Sequence, residues 1–121
     1  MRRYRSSGAM AKADRLERLD ARRVELEVGY EAMLIAALRR TAAGSWGLFG
    51  HRKDRQAEAK FAPVIADLTE TGEAIDAMRA QLGIEPFALH RDFLASRGPV
   101  ASSAAGEPKQ ARAWLDRLGE A

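Results

Sequence analysis

Gly44-Ser45-Trp46-Gly47-Leu48-Phe49-Gly50, followed by His51 and Arg52, is the stretch whose reading decides the fold. Glycine recurs at every third position, and two of the chain's few large aromatics stand between the glycines. Long segments with helical periodicity lie on both sides. Glycine tolerates the left-handed backbone that a reversal of direction demands, so the stretch reads as the tip of a helical hairpin.

Upstream, over residues 10–43, apolar positions follow a three–four rhythm: Leu16, Leu19, Leu26, Tyr30, Met33 and Ala37, with Arg23 filling one step. A second stripe joins it at Val24, Val28, Ile35 and Leu38, so this helix is apolar over more than one face. One partner helix does not cover both stripes. The surplus is expected to be buried by the C-terminal helices or by a second copy of the chain. Gly44 follows the last periodic residue as a C-terminal cap, and Arg39 and Arg40 suit the negative end of the helix dipole.

Downstream, over residues 51–82, the rhythm repeats at Ala57, Phe61, Val64, Leu68, Thr71, Ile75, Met78 and Leu82. The two rows pair as mirror images about Gly47: Leu16 with Met78, Leu26 with Leu68, Met33 with Phe61. This is the arrangement of an antiparallel coiled-coil seam. A slip of one heptad either way also preserves the apolar pairing, but it moves the fold point to the margin of the glycine stretch, so Gly47 is preferred. Pro63 interrupts the second segment. Either the helix kinks there or it begins near Ala62; Ala57 and Phe61 already keep the rhythm, which favours a kink.

Pro86 suits the first turn of a third helix over residues 86–97, expected to bury Phe87, His90, Phe93 and Leu94. Residues 99–108, rich in Ala, Ser, Gly and Pro, read as a flexible linker. A short amphipathic helix follows over residues 109–118, with Ala111, Trp114, Leu115 and Leu118 on one side. The fold class is therefore all-α: a helical domain over 10–98, preceded by a disordered basic tail over 1–9 and followed by a loosely tethered helix over 109–121.

The chain has 121 residues, enough for one modest core, and no cysteine, which excludes disulfides and thiolate metal sites. Of 20 basic residues against 17 acidic ones, Arg2, Arg3 and Arg5 account for the whole excess. The basic balance thus belongs to the tail, and Met10 is a second candidate start. The longest apolar run, Val28 to Leu38, is interrupted by Glu31 and is too short to span a bilayer. No apolar segment follows the N-terminal arginines as a secretory signal requires. A cytoplasmic protein without a membrane partner is the expectation.

Candidate binding residues gather at the hairpin tip: Arg39, Arg40, Trp46, Phe49, His51, Arg52, Lys53 and Arg55. Cations attract phosphate, and outward-facing aromatic rings stack on bases. The alternative is structural, with both rings turned inward to plug the end of the hairpin. The stretch is not a phosphate loop, since it lacks the Gly-Lys-Ser/Thr ending and no strand precedes it. His51, Asp54 and Glu58 share one helical face without a fourth ligand, and Glu27 and Glu31 lie one turn apart beside Arg23. No nucleophile–base set is present. The residues call for no catalysis and no cofactor.

The phrase Ala43-Gly44-Ser45-Trp46-Gly47-Leu48-Phe49-Gly50 resembles a loop in small bacterial helical proteins of no assigned function. The resemblance covers the hairpin tip and its flanks, and it implies a helical fold without an activity. The expected role is a small accessory or protein-interaction protein, acting by self-association or through a partner helix. Nucleic-acid or phosphate binding through the basic tip is the alternative.

Overall fold

The computed structural model describes the backbone of residues 2–100 and 106–120, and side chains from Met10 onward. Four helices follow in order: α1 (Arg2–Ala42), α2 (Arg55–Gln81), α3 (Ala88–Ser96) and α4 (Glu107–Arg117). Among the described residues there is no strand, and no helix is long and apolar enough to cross a membrane. The backbone is helical from Arg2, upstream of the expected start at Met10 and over most of the span expected to be a disordered tail. Extending a nucleated helix fixes one residue per added hydrogen bond, whereas starting a new one is costly.

Helix α2 begins at Arg55 rather than His51, because the Asp54 carboxylate caps it by accepting from the backbone N–H groups of Gln56 and Ala57 at 3.0 and 3.4 Å. The helix runs through Pro63, which is exposed. Exposure leaves the carbonyl deprived of its bond open to water, so the interruption is tolerated.

The hairpin forms, but its register departs from the expected one. The Arg40 guanidinium lies 4.6 Å from the Phe61 ring centroid, and Ala37 and Val64 line one common depression. Both pairs are centred between Gly50 and His51, one heptad away from a seam centred on Gly47. The heptad repeat permits either register, and the connection decides between them. Residues 43–54 are not a tight turn but a folded loop that occupies the end of the bundle, so helix pairing starts farther down. Arg23 accordingly does not face Thr71; it binds Asp20 and Glu27 on its own helix.

Helix α3 returns toward the loop against α2, and α4 then runs back along α1. The fully buried core comprises Tyr30, Leu34, Leu38, Leu48, Phe49, Phe61, Leu68, Ile75, Phe93 and Ala111, with Trp114 and Leu115 nearly so. Helix α4 is thus part of the core rather than a loosely tethered appendage, and it covers the second apolar stripe over the C-terminal half of α1. It starts at Glu107, two residues before the expected Lys109, because Pro108 in its first turn needs no N–H partner there. Leu94, expected in the core, is 43 % exposed.

Polar groups fasten the seam. The Tyr30 hydroxyl and His90 Nδ1 lie 2.7 Å apart in the interior, joining α1 to α3. Burial raises the Tyr30 phenol above its ordinary range, with the Asp76 carboxylate adding to the effect. The phenol therefore keeps its proton, and the imidazole tautomer sets which of the two groups donates. Burial lowers His90, against an opposing pull from Asp76 and Glu73. The His90 ring lies directly on Gly72, where an added Cβ would sit 2.3 Å from Cδ2. Glu27 accepts from Arg79 Nε and one Arg79 guanidinium nitrogen, both at 2.9 Å, and from Arg23 at 2.7 Å. Burial works to raise the Glu27 carboxyl, but hydrogen bonds from the two arginines outweigh it and leave it lowered.

Two tests follow from this packing. Ala normally stabilises a helix by about 1 kcal/mol over Gly. Gly29→Ala, with nothing within 4 Å of the new methyl, gains that amount in denaturant unfolding. Gly72→Ala loses about 1–3 kcal/mol by overpacking against a fixed ring; a stabilising Gly72→Ala would sink this account. The second test is pH. His90 has a lowered value in the folded state, so the unfolded chain binds the proton more readily, and the contribution to stability declines as pH falls below about 6.5. Tyr30 is raised, so stability is lost as pH climbs through 10.0 and beyond. Thermal melts should show both limbs, with Tyr30→Phe lowering overall stability while removing the alkaline one.

Candidate functional site

The glycine-punctuated loop is bonded on one side to α4 and on the other to the segment after α3. Its free backbone N–H groups need acceptors once the loop is buried, and α4 supplies one. The Glu107 carboxylate, 1 % exposed, accepts from Gly47 N–H at 3.2 Å through both oxygens and from Phe49 N–H at 2.7 Å. Its negative charge also sits at the N-terminus of α4, where the helix dipole favours it. The segment after α3 satisfies the loop's carbonyls: Arg97 Nε donates to Leu48 O at 2.8 Å, and Gly98 N–H donates to Phe49 O at 2.8 Å.

Two glycines are required here by close approach. Gly47 has φ +125°, and a Cβ on it would meet the Ala57 carbonyl oxygen at 2.1 Å, so a bare backbone is what lets the loop touch α2. Gly106, the N-cap of α4, lies under the Trp46 indole, where a Cβ would be 2.8 Å from the ring.

The residues proposed for a binding tip are brought to one end of the bundle but do not form one surface. Phe49 is fully buried, against His51 and Phe93 at ring-centroid distances of 5.9 and 6.2 Å. Trp46 is half-buried, packed on Gly106, with the Arg52 guanidinium 3.9 Å from its ring centroid. Arg40 lies over Phe61, and Arg39 pairs with Glu120 at 3.0 Å. Lys53 and Arg55 are exposed. The rings thus follow the structural alternative, and three of the five basic groups are engaged within the molecule. Asp54 serves as a cap, and no group of three or more His, Cys, Asp or Glu among the described residues could hold a metal.

His51 is the anomaly. It is 7 % exposed, lies edge-on to Trp46, and neither ring nitrogen has a hydrogen-bond partner among the described residues. An unmatched buried donor and acceptor reduce stability.

A different surface lies at the far end. Helix α1 carries Met10, Leu16, Val24 and Val28 at 66, 40, 47 and 65 % exposure. Val24 and Val28 form the floor of an open groove of about 440 Å³, walled by Phe87 and Leu89 before and on α3 and by Arg117 and Leu118 at the end of α4. Glu27 and Glu31 stand along its edge. The second stripe of α1 predicted this apolarity but not its exposure, because the place where α4 stops is invisible in the periodicity. Glu107 was equally missed within the linker. The sequence Gly106-Glu107-Pro108, a capping glycine followed by an acid and a proline, was the signal for a helix start that could have found it.

No protein family, curated protein or solved structure matches the chain.

Glu107→Ala leaves two buried N–H groups without an acceptor, at about 1–3 kcal/mol each, and should expose the Gly47 and Phe49 amides to hydrogen exchange. His51→Phe removes two unmatched polar atoms and fills the same space, so it should raise stability by about 1 kcal/mol in urea unfolding. A large loss instead would mean that the imidazole has a partner in solution.

Proposed function

We propose that this chain is a small non-catalytic interaction protein whose binding surface is the exposed apolar side of α1 and its adjoining groove, not the basic loop end. The observation that carries the reading is the exposure of Val24 and Val28, 47 and 65 %, on the floor of that groove. Exposed apolar side chains beside polar edges are what protein partners cover. The groove supports the reading further, since its floor continues the same stripe that α4 covers higher up.

Nucleic-acid or phosphate binding through the loop end has weaker support. Phe49 is sealed in the core and Arg52 already stacks on Trp46, leaving no ring pair for bases. Lys53 and Arg55 alone form a sparse cationic surface.

Two measurements check the reading. A photoreactive amino acid in place of Val28, in the full chain within its native cells, should yield a discrete protein adduct on irradiation, whereas the same group in place of the exposed Glu70 on α2 should not. No adduct at position 28, or the same adducts at both, overturns the proposal. Titration of single-stranded DNA and RNA at low ionic strength should show no salt-dependent binding; a steep salt slope abolished by reversing Lys53 and Arg55 would restore the alternative.

A further inference from the structure

Resting on that reading, we propose that the occupant of the groove is an amphipathic helix with basic flanks, supplied by another protein and laid along α1 beyond the end of α4. Helix α4 shows what this stripe of α1 accepts. Its inward residues Ala111, Trp114, Leu115 and Leu118 follow the three–four spacing of one helical face, and the first three are buried. The row ends at Leu118, the C-cap, where Gly119 at φ +75° closes the helix. Val24 and Val28 continue the floor from that point, and Leu118 is itself a wall of the groove. A second helix placed there extends the seat of the first.

Charge selects the partner. Glu17 and Asp20 stand one heptad before Val24 and Glu27, so Glu17, Asp20, Val24, Glu27, Val28 and Glu31 share one side of α1. The basic residues of this stretch point elsewhere. Lys12 and Arg15 border a depression with Leu19 and Gln81 toward α2. Arg18 and Arg22 stand a heptad before Glu25 and Gly29, neither of which borders the groove. Arg23 reaches in from the edge to bind Asp20 and Glu27, and Arg79 of α2 binds Glu27 as well. Arg117 on the facing wall is paired with Asp92. Glu17 and Glu31 have no ion pair among the described residues. The surface therefore sets Val24 and Val28 between two unpaired carboxylates, which lysine or arginine of an incoming helix answers and glutamate does not.

The dimensions agree. Residues 17–31 span about 21 Å of helix axis, which a partner helix of roughly four turns matches. Phe87, Leu89 and Leu118 wall the groove and receive the partner's apolar row, which needs the same three–four spacing as that of α4. The carboxylates along the edge then discriminate against an acidic helix of the same shape. The side of α1 toward α2, where Leu16 and Leu19 lie, takes no part.

Anisotropy of a dye-labelled synthetic helix, titrated with the full chain at low ionic strength, tests the proposal. The probe is a leucine–lysine peptide of roughly four turns with leucines spaced three and four apart. Its twin carries glutamate for lysine. The lysine helix should bind one to one, weaken with salt, and bind at least about tenfold tighter than the twin. Val24→Ser with Val28→Ser should weaken it about tenfold or more. Glu17→Lys with Glu31→Lys should reverse the preference between the two peptides, a change that misfolding does not produce. Glu58→Lys with Glu70→Lys, an equal change of charge at exposed sites on α2, should leave the preference in place. No binding of the lysine helix, equal binding of the two peptides, or an equal effect of the two charge-reversed pairs overturns the proposal. The photoreactive group at position 28 separates this failure from that of the interaction reading. An adduct with another protein, where the peptides fail, removes the basic helix and leaves the interaction reading standing. An adduct of twice the chain mass alone assigns the groove to a second copy instead, and no adduct overturns both.

Discussion

The buried carboxylate of Glu107 holds the structure together at its closed end. A loop of three glycines and two aromatics has backbone donors that water would ordinarily satisfy. Here the loop is core, and its donors at Gly47 and Phe49 point at one side chain from the last helix. That arrangement fixes much else. It sets Gly106 under Trp46, directs α4 along the second face of α1, and keeps Leu48 and Phe49 inside, against α3. Arg97 and Gly98 complete the loop from the other side.

What could be read from the residues alone is what periodicity encodes. The two long helices, the reversal between them, the third helix and the amphipathic last one all follow from apolar spacing and from glycine and proline placement. The inward choice for Phe49 was one of two stated options, and its burial settles which. Register was not legible, because a heptad repeat is indifferent to a slip of seven; the volume of the buried loop breaks the tie, and that volume is a tertiary quantity. Nor was the partnership of Tyr30 with His90, which joins residues 60 positions apart and shows in the sequence only as an unexplained glycine at 72. The candidate site fared worst. Basic residues near a loop look like a binding surface until Arg39, Arg40 and Arg52 are each given a neighbour within the molecule. The exposed stripe of α1 emerges only once the end of α4 is known.

The molecule is consequently unequal from end to end. At the loop end, Arg39, Arg40 and Arg52 are engaged by a carboxylate or an aromatic ring, and Leu48 and Phe49 are sealed. Toward the start of α1, past the ends of α3 and α4, only α2 lies alongside, reaching Leu16 and Leu19 near Gln81. Between the two regions stands the Arg23–Glu27–Arg79 cluster, whose half-buried ions are mutually satisfied and so favour a defined helix pairing over mere adhesion. A protein built this way concentrates its packing at one pole and leaves apolar side chains exposed at the other.

The same loop has a consequence for the order in which the chain is made. Its acceptor lies 58 and 60 positions after the amides it satisfies. A ribosome releases the reversal first, when nothing yet synthesised can receive those N–H groups. Until α4 is made, water is what those N–H groups can bond to. Long-range closure of this kind slows the final step of folding relative to the local helices. The turn that comes early in the chain is thus finished late in time, and the closing stroke belongs to the helix made last.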